Sequence, residues 1–284
     1  MVDCLPLFKF KRVNGFLCWI SSTCNNSFYM PIFQYFRRRW LLRKPFPGRR
    51  EEILKYKVPY YQRLPTRYQD MLKDRITIFL DEKLFEGCGG LQLTEEMKVI
   101  VAAYACLLIL EVPSDYYPDL QSILIYPDDY MAPVYEEDAA GVVTQGTEPR
   151  KGESWDTGNI ILSWQDITDS IYDEENHQNL IIHEFSHQLD QRYGLSAGID
   201  ERGDVIRDDE WNRTFAKAYR DHRWKMERGR KSTLDEYGAV DPAEFFAVAS
   251  ETFFEDPKNL RVEYSAIYKL LASFYNIDPY SDFR

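Results

Sequence analysis

Twelve consecutive apolar residues, Val99–Leu110, place the first constraint on this chain, because so long a run has no polar face to show to water. About 20 such residues are needed to cross a bilayer, so the run predicts a buried core helix. Thr94 stands ahead of it as a helix N-cap, and Glu95 and Glu96 suit the positive end of the helix dipole. Upstream, Tyr68, Met71, Leu72, Ile76, Phe79, Leu80 and Leu84 recur at helical spacing from Thr66 to Leu84, with Gly87 as a stop. The pattern predicts an amphipathic helix that packs on the first.

Short β-type segments follow at 123–126, 142–144 and 159–164, separated by Pro, Asp and Gly, and predict a small, mostly antiparallel sheet. Helical patterns return at 174–192, 209–228, 242–255 and 258–275. The layout is α+β with a helical C-terminal half and no internal repeat. At 284 residues and 44% hydrophobic, the chain can bury one substantial core or two small ones.

The charge is unevenly spread. Residues 1–50 hold ten Lys/Arg against Asp3 alone, a local +9 within a net charge of −11. The acidic remainder would repel a phosphate backbone, which argues against nucleic acid as a partner. Residues 1–45 mix aromatics with Arg37-Arg38-Arg39 and show no sustained period, so they are read as a basic extension. The Pro-Phe-Pro-Gly stretch at 45–48 then opens a domain over 46–284. Three uses of the extension stand open: a disordered tail or misassigned start, contact with an anionic membrane surface, and folding back on the acidic body. Its apolar stretch, 13–20, is too short and too interrupted for a secretory signal. Five cysteines without a CxxC pair indicate neither a disulfide framework nor a zinc ribbon, and fit a reducing, cytoplasmic setting.

Chemistry concentrates in Leu180–Leu189, which contains His183-Glu184-Phe-Ser-His187. On a helix, positions four apart share a face, so both imidazoles can reach one metal ion, with Glu184 beside them. Neutral imidazole is a good zinc ligand, and a catalytic zinc keeps one position for water whose pKa it lowers to about 7. A neighbouring carboxylate can take the proton as that water attacks a carbonyl, then pass it to the departing amine. The reaction class this suggests is hydrolysis of a peptide bond.

Two histidines leave such a site one ligand short. Asp190 shares their face, but a straight helix rarely wraps three ligands around one ion, so it reads as a helix-end or supporting partner. Asp241-Pro242-Ala-Glu244 reads as a helix start, and Glu244 and Glu251, seven apart, share a face of an otherwise apolar helix. Glu244 could ligate the metal or fold back as a capping box, and Glu251 could ligate or make a structural hydrogen bond. A purely structural zinc would need a fourth protein ligand, from Asp190 or Glu251. His222 lies on the apolar stripe of its helix and reads as a core histidine, and His177 as solvated.

His183–Asp190, Tyr237–Glu251, Gly152-Glu-Ser-Trp155 and Ile161-Leu-Ser-Trp164 together resemble the Mlc titration factor A family of zinc-dependent peptidases over about residues 40–275. The resemblance implies one zinc per chain held by His183, His187 and Glu244, with Glu184 as catalytic base and Tyr237 as the active-site tyrosine. It implies a zincin fold like that of lethal-factor-type toxins, in which a strand bordering the cleft, here Asn159–Trp164, pairs with an extended peptide or protein substrate. It also implies aminopeptidase activity. The family's name-giving member is a factor that draws a repressor of sugar-uptake genes off DNA, so a regulatory protein that sequesters a repressor is the alternative function. A phenol near the metal has its own use, donating to a developing oxyanion.

Overall fold

The computed structural model describes residues 9–13, 16–20, 29–112, 116–128, 130–137, 143–150, 152–155, 158–172 and 178–283. The chain divides into two compact units, 1–45 and 46–284. In the first, strands β1 (Lys9–Val13) and β2 (Phe16–Ile20) pair antiparallel, and helix α1 covers Tyr29–Leu41. Phe33, Phe36 and Trp40 are exposed and share one helical face. The sequence pattern carries no sustained period here because these three aromatics lie among several others.

The second unit opens with α2 (Gly48–Lys57), α3 (Pro59–Arg63) and α4 (Thr66–Glu82). Helix α4 buries Tyr68, Leu72, Ile76 and Phe79, and Leu84, expected as its last apolar position, begins strand β3 (Leu84–Gly87) instead. Helix α5 (Glu95–Leu108) carries the apolar run. Thr94 Oγ1 accepts from the Met97 amide at 3.2 Å as the expected cap, and every residue from Val99 to Leu110 is buried. Burial of each large side chain there contributes roughly 1.5–3 kcal/mol. Helices α2, α4 and, from the C-terminal half, α7 (Leu180–Tyr193) pack around it.

The sheet has four strands in the order β3, β4 (Ser122–Tyr126), β8 (Asn159–Ser163), β7 (Gly152–Trp155). Three of them are parallel, with Leu84 opposite Ser122 and Ser122 opposite Asn159, and β7 alone runs antiparallel. The expectation of a mostly antiparallel sheet is therefore corrected. Helix α5 supplies the crossover that parallel neighbours need, and the unbroken apolar run Ile160–Leu162 is the pattern of a strand covered on both faces. A separate hairpin, β5 (Tyr130–Glu137) with β6 (Val143–Arg150), connects β4 to β7; residue 142 of the predicted 142–144 strand lies outside the described residues.

The C-terminal half is helical: α6 (Trp164–Tyr172), α7 (Leu180–Tyr193), α8 (Glu210–Glu227), α9 (Pro242–Glu255), α10 (Pro257–Glu263), α11 (Ser265–Tyr275) and α12 (Pro279–Asp282). The helix predicted from 174 begins at Leu180, and residues 173–177 lie outside the described residues. The single helix expected over 258–275 is two, broken at Tyr264. Phe245, Phe246, Phe253 and Phe254 of α9 are fully buried, Phe253 stacking on Tyr275 at 5.5 Å and Phe245 meeting Phe215 edge-on at 5.0 Å. This aromatic core seats α9 against α8 and α11, and another face of α9 packs on α7. Among the described residues, no helix is long and apolar enough to cross a membrane.

Candidate metal centre

Helix α7 is fixed at both ends by its own sequence. Asn179 Oδ1 accepts from the Ile182 amide at 3.1 Å, and Gly194, at φ +63°, donates its amide to the Asp190 carbonyl at 2.6 Å. Ile181, Ile182, Phe185 and Leu189 anchor the helix in the core. That leaves His183 and His187, one turn apart, facing α9. There Asp241 Oδ1 caps the helix by accepting from the amides of Ala243 and Glu244, and Pro242 takes the first position.

The three side chains converge. His183 Nε2 and His187 Nε2 are 3.2 Å apart, and Glu244 Oε2 lies 3.1 Å from the first and 3.5 Å from the second. Glu244 thus points at the imidazoles rather than closing a capping box. Among the described residues, these three form the one His/Cys/Asp/Glu group so placed.

The tautomer of His183 decides what such a cluster can hold. Its Nδ1 is 2.6 Å from Glu251 Oε1, and an ionised carboxylate can only accept, so Nδ1 carries the proton. Nε2 of the neutral ring then presents a lone pair to Glu244 Oε2, a buried oxygen with no hydrogen-bond partner. Electron-rich atoms 3.1–3.5 Å apart repel unless a cation lies among them. A tetrahedral ion with bonds of about 2.0–2.1 Å separates its ligands by about 3.3 Å, so these residues fit a divalent metal. Protons substitute for a cation when none is bound. Burial works against a charged His183, but Glu251 and Glu244 hold its pKa well above the ordinary value. Burial likewise works against ionised Glu244, and the two imidazoles bring it down to about 2.

Glu184 is buried next to this group, and desolvation raises its pKa against the opposing pull of His183 and His187. A carboxyl shifted upward accepts a proton more readily near neutral pH. The ring centroid of Tyr237 lies 5.9 Å from that of His183, so the structure brings this distant tyrosine to the same place. Asp190 it does not: that carboxylate accepts from the Ser196 amide at 2.6 Å and from the Ser196 hydroxyl, closing the loop after α7. Glu251 supports His183 and also accepts from the Asn179 amide at 2.9 Å. His222 is the expected core histidine, fully buried, its pKa lowered by that burial. His177 lies outside the described residues.

Strand β8, expected to border the cleft with a free edge, is paired on both sides, by β4 and β7. Among the described residues the open edge beside α7 belongs to β7. The roles of Gln178, Asn179 and Asp235 escape sequence reading. Only the Asp-x-Tyr spacing at 235–237, suited to an Asx turn, signalled one of them.

The sequence matches the family described as glucose-regulated metallo-peptidase M90 over residues 33–276. The match begins inside α1 and so takes in part of the stretch read as an extension. An uncharacterized protein of Synechocystis sp. is 35% identical over 250 residues, 88% of this chain and 91% of its own. Mlc titration factor A of Serratia proteamaculans is 33% identical over 226 residues, 78% of this chain and 85% of its own. The protein of that name from Klebsiella pneumoniae is 30% identical over 224 residues, 78% and 84% respectively.

Proposed function

Because the chain belongs to the glucose-regulated metallo-peptidase M90 family, we propose that it is a zinc-dependent peptidase whose catalytic unit is residues 46–284. His183, His187 and Glu244 hold one zinc ion, Glu184 is the general base and Tyr237 the oxyanion donor. The observation that carries this reading is the convergence of His183 Nε2, His187 Nε2 and Glu244 Oε2 at 3.1–3.5 Å from one another. When bound, zinc supplies Lewis acidity, lowering the pKa of water from 15.7 to about 7.

The protein's own groups do the rest. Glu184 takes a proton from the attacking water onto its carboxylate and returns it to the departing amine nitrogen. Tyr237 donates its phenolic O–H to the carbonyl oxygen as that oxygen gains charge. Glu251 holds His183 in one tautomer throughout. The edge of β7 offers backbone groups to an extended peptide, a recognition tolerant of side-chain sequence. The family resemblance favours removal of residues from a free N-terminus. A cytoplasmic setting is supported by Cys88 and Cys106, both free thiols.

Cleavage of aminoacyl substrates, and of a peptide with free or acetylated N-terminus, tests the reading in wild type and Glu184→Gln. The variant is expected to keep its metal and lose roughly 100- to 10,000-fold in kcat. Equal turnover would rule out the base, and equal cleavage of the acetylated peptide would rule out the aminopeptidase.

The name Mlc titration factor A, carried by two of the relatives, favours a second reading in which the chain sequesters a transcriptional repressor and cleavage is secondary. Glu184→Gln binding a purified repressor as tightly as wild type would support it, and no binding by either would discard it.

A further inference from the structure

Tyr237 sits in a 3-10 turn of four residues, Glu236–Ala239, with its side chain half exposed. So short a turn makes few bonds of its own, and its place is set by what grips it. Asp235 grips it twice. Its Oδ1 accepts from the Tyr237 amide at 2.8 Å, and its carbonyl accepts from the Gly238 amide at 3.1 Å.

Asp235 is held in turn from the segment leading into α7 and from α8. Its Oδ2 accepts from Gln178 Nε2 at 2.9 Å, and Gln178 directly precedes Asn179, the cap of α7. Its carbonyl also accepts from His222 Nε2 at 2.9 Å. A carbonyl can only accept, so the neutral imidazole carries its proton on Nε2, and Nδ1 faces Ser232 Oγ at 3.3 Å. Gly238 closes the frame: a Cβ there would lie 3.3 Å from Val248 Cβ on α9 and 3.5 Å from His222 Nε2. One carboxylate therefore ties the tyrosine turn to the start of the helix that carries both histidines.

We propose that Asp235 is a positioning residue that acts through Tyr237, setting the phenol against the imidazole of His183. The proposal deepens the peptidase reading and rests on it. Asp235→Ala frees the turn, and kcat is expected to fall about tenfold with KM unchanged, because a displacement of about 1 Å at a group that meets the reacting atoms costs at least that much. Asp235→Asn keeps an acceptor for the Tyr237 amide, and Gln178 can turn its own amide to match, so this variant is expected to recover most of the loss. In Tyr237→Phe, adding Asp235→Ala is expected to cost nothing more.

Hydrogen exchange over residues 235–240 of the metal-free protein reads the turn without reference to catalysis. Exchange at the Tyr237 and Gly238 amides is expected to be about tenfold faster in Asp235→Ala and near wild type in Asp235→Asn. Should Asp235→Ala fail to fold, Gln178→Ala releases the tie to the start of α7 and leaves the Asp235 carboxylate on the Tyr237 amide; it is expected to lower kcat when Tyr237 is present and not in Tyr237→Phe. A loss of equal size in both backgrounds, or unchanged exchange in Asp235→Ala, would overturn the proposal. The peptidase reading fails on a different result, Glu184→Gln turning over as fast as wild type, so the two failures are told apart.

Discussion

His183 Nδ1 lies 2.6 Å from Glu251 Oε1, and the other oxygen of that carboxylate accepts from the Asn179 amide at 2.9 Å. One acid on α9 thus fixes both the tautomer of an imidazole and the start of the helix that presents it. A carboxylate behind a ligating histidine raises the basicity of the ring and fixes its orientation, so with His183 as the proposed ligand the metal affinity would depend on Glu251 as well.

Replacing that acid is the first test. Glu251→Gln keeps an acceptor for the imidazole N–H but loses the charge, and is expected to weaken metal binding about tenfold; Glu251→Ala is expected to weaken it about 100-fold. Competition with a chelator of known affinity measures both. Wild-type affinity in Glu251→Ala would remove this support from the account.

Glu255, one turn further along α9, leads to a pH dependence of stability. Burial pushes its carboxyl up to about 7, the Glu251 charge adding to this, while Asn179 and Arg63 pull the other way. The native state therefore holds the proton more tightly than the unfolded chain. Stability is greatest below the unfolded value near 4.5 and falls as pH rises through about 7. Glu255→Gln, whose amide oxygen can still accept from Asn179 Nδ2, escapes this loss. Urea unfolding of the metal-free proteins is expected to show little difference near pH 4.5 and an advantage for Gln of up to about 3 kcal/mol at pH 8. An advantage independent of pH would contradict the assignment.

Asp190 separates a structural acid from a ligand. Asp190→Ala leaves the Ser196 amide without its acceptor, and is expected to cost about 1–3 kcal/mol in stability. Metal stoichiometry is expected to stay the same. A variant that folds well but has lost its metal would return Asp190 to the ligand set.

The sequence showed most clearly what depends on neighbours along the chain. The core helix α5 follows from twelve apolar residues behind Thr94, and the facing of His183 and His187 follows from a spacing of four. The choice among Asp190, Glu244 and Glu251 could not be read from spacing, because it is made by the packing of α9 on α7. Strand direction was missed for a related reason: Ile123–Tyr126 fits either kind of sheet by length, and the crossover through α5 sets β4 parallel to β3. The hairpin of β5 and β6 was largely unread, since Pro133, Gly146 and Pro149 interrupt any alternation within it. Asp235 and Gln178 meet only in the folded chain, so their pairing left no mark in the sequence.

Titration of zinc into the metal-free protein, followed by calorimetry for wild type and Glu244→Ala, tests the central claim most directly. One ion per chain is expected in wild type, with affinity at least about 100-fold weaker once the Glu244 carboxylate is gone. Equal affinity in the two proteins, or no stoichiometric binding in wild type, would contradict the account.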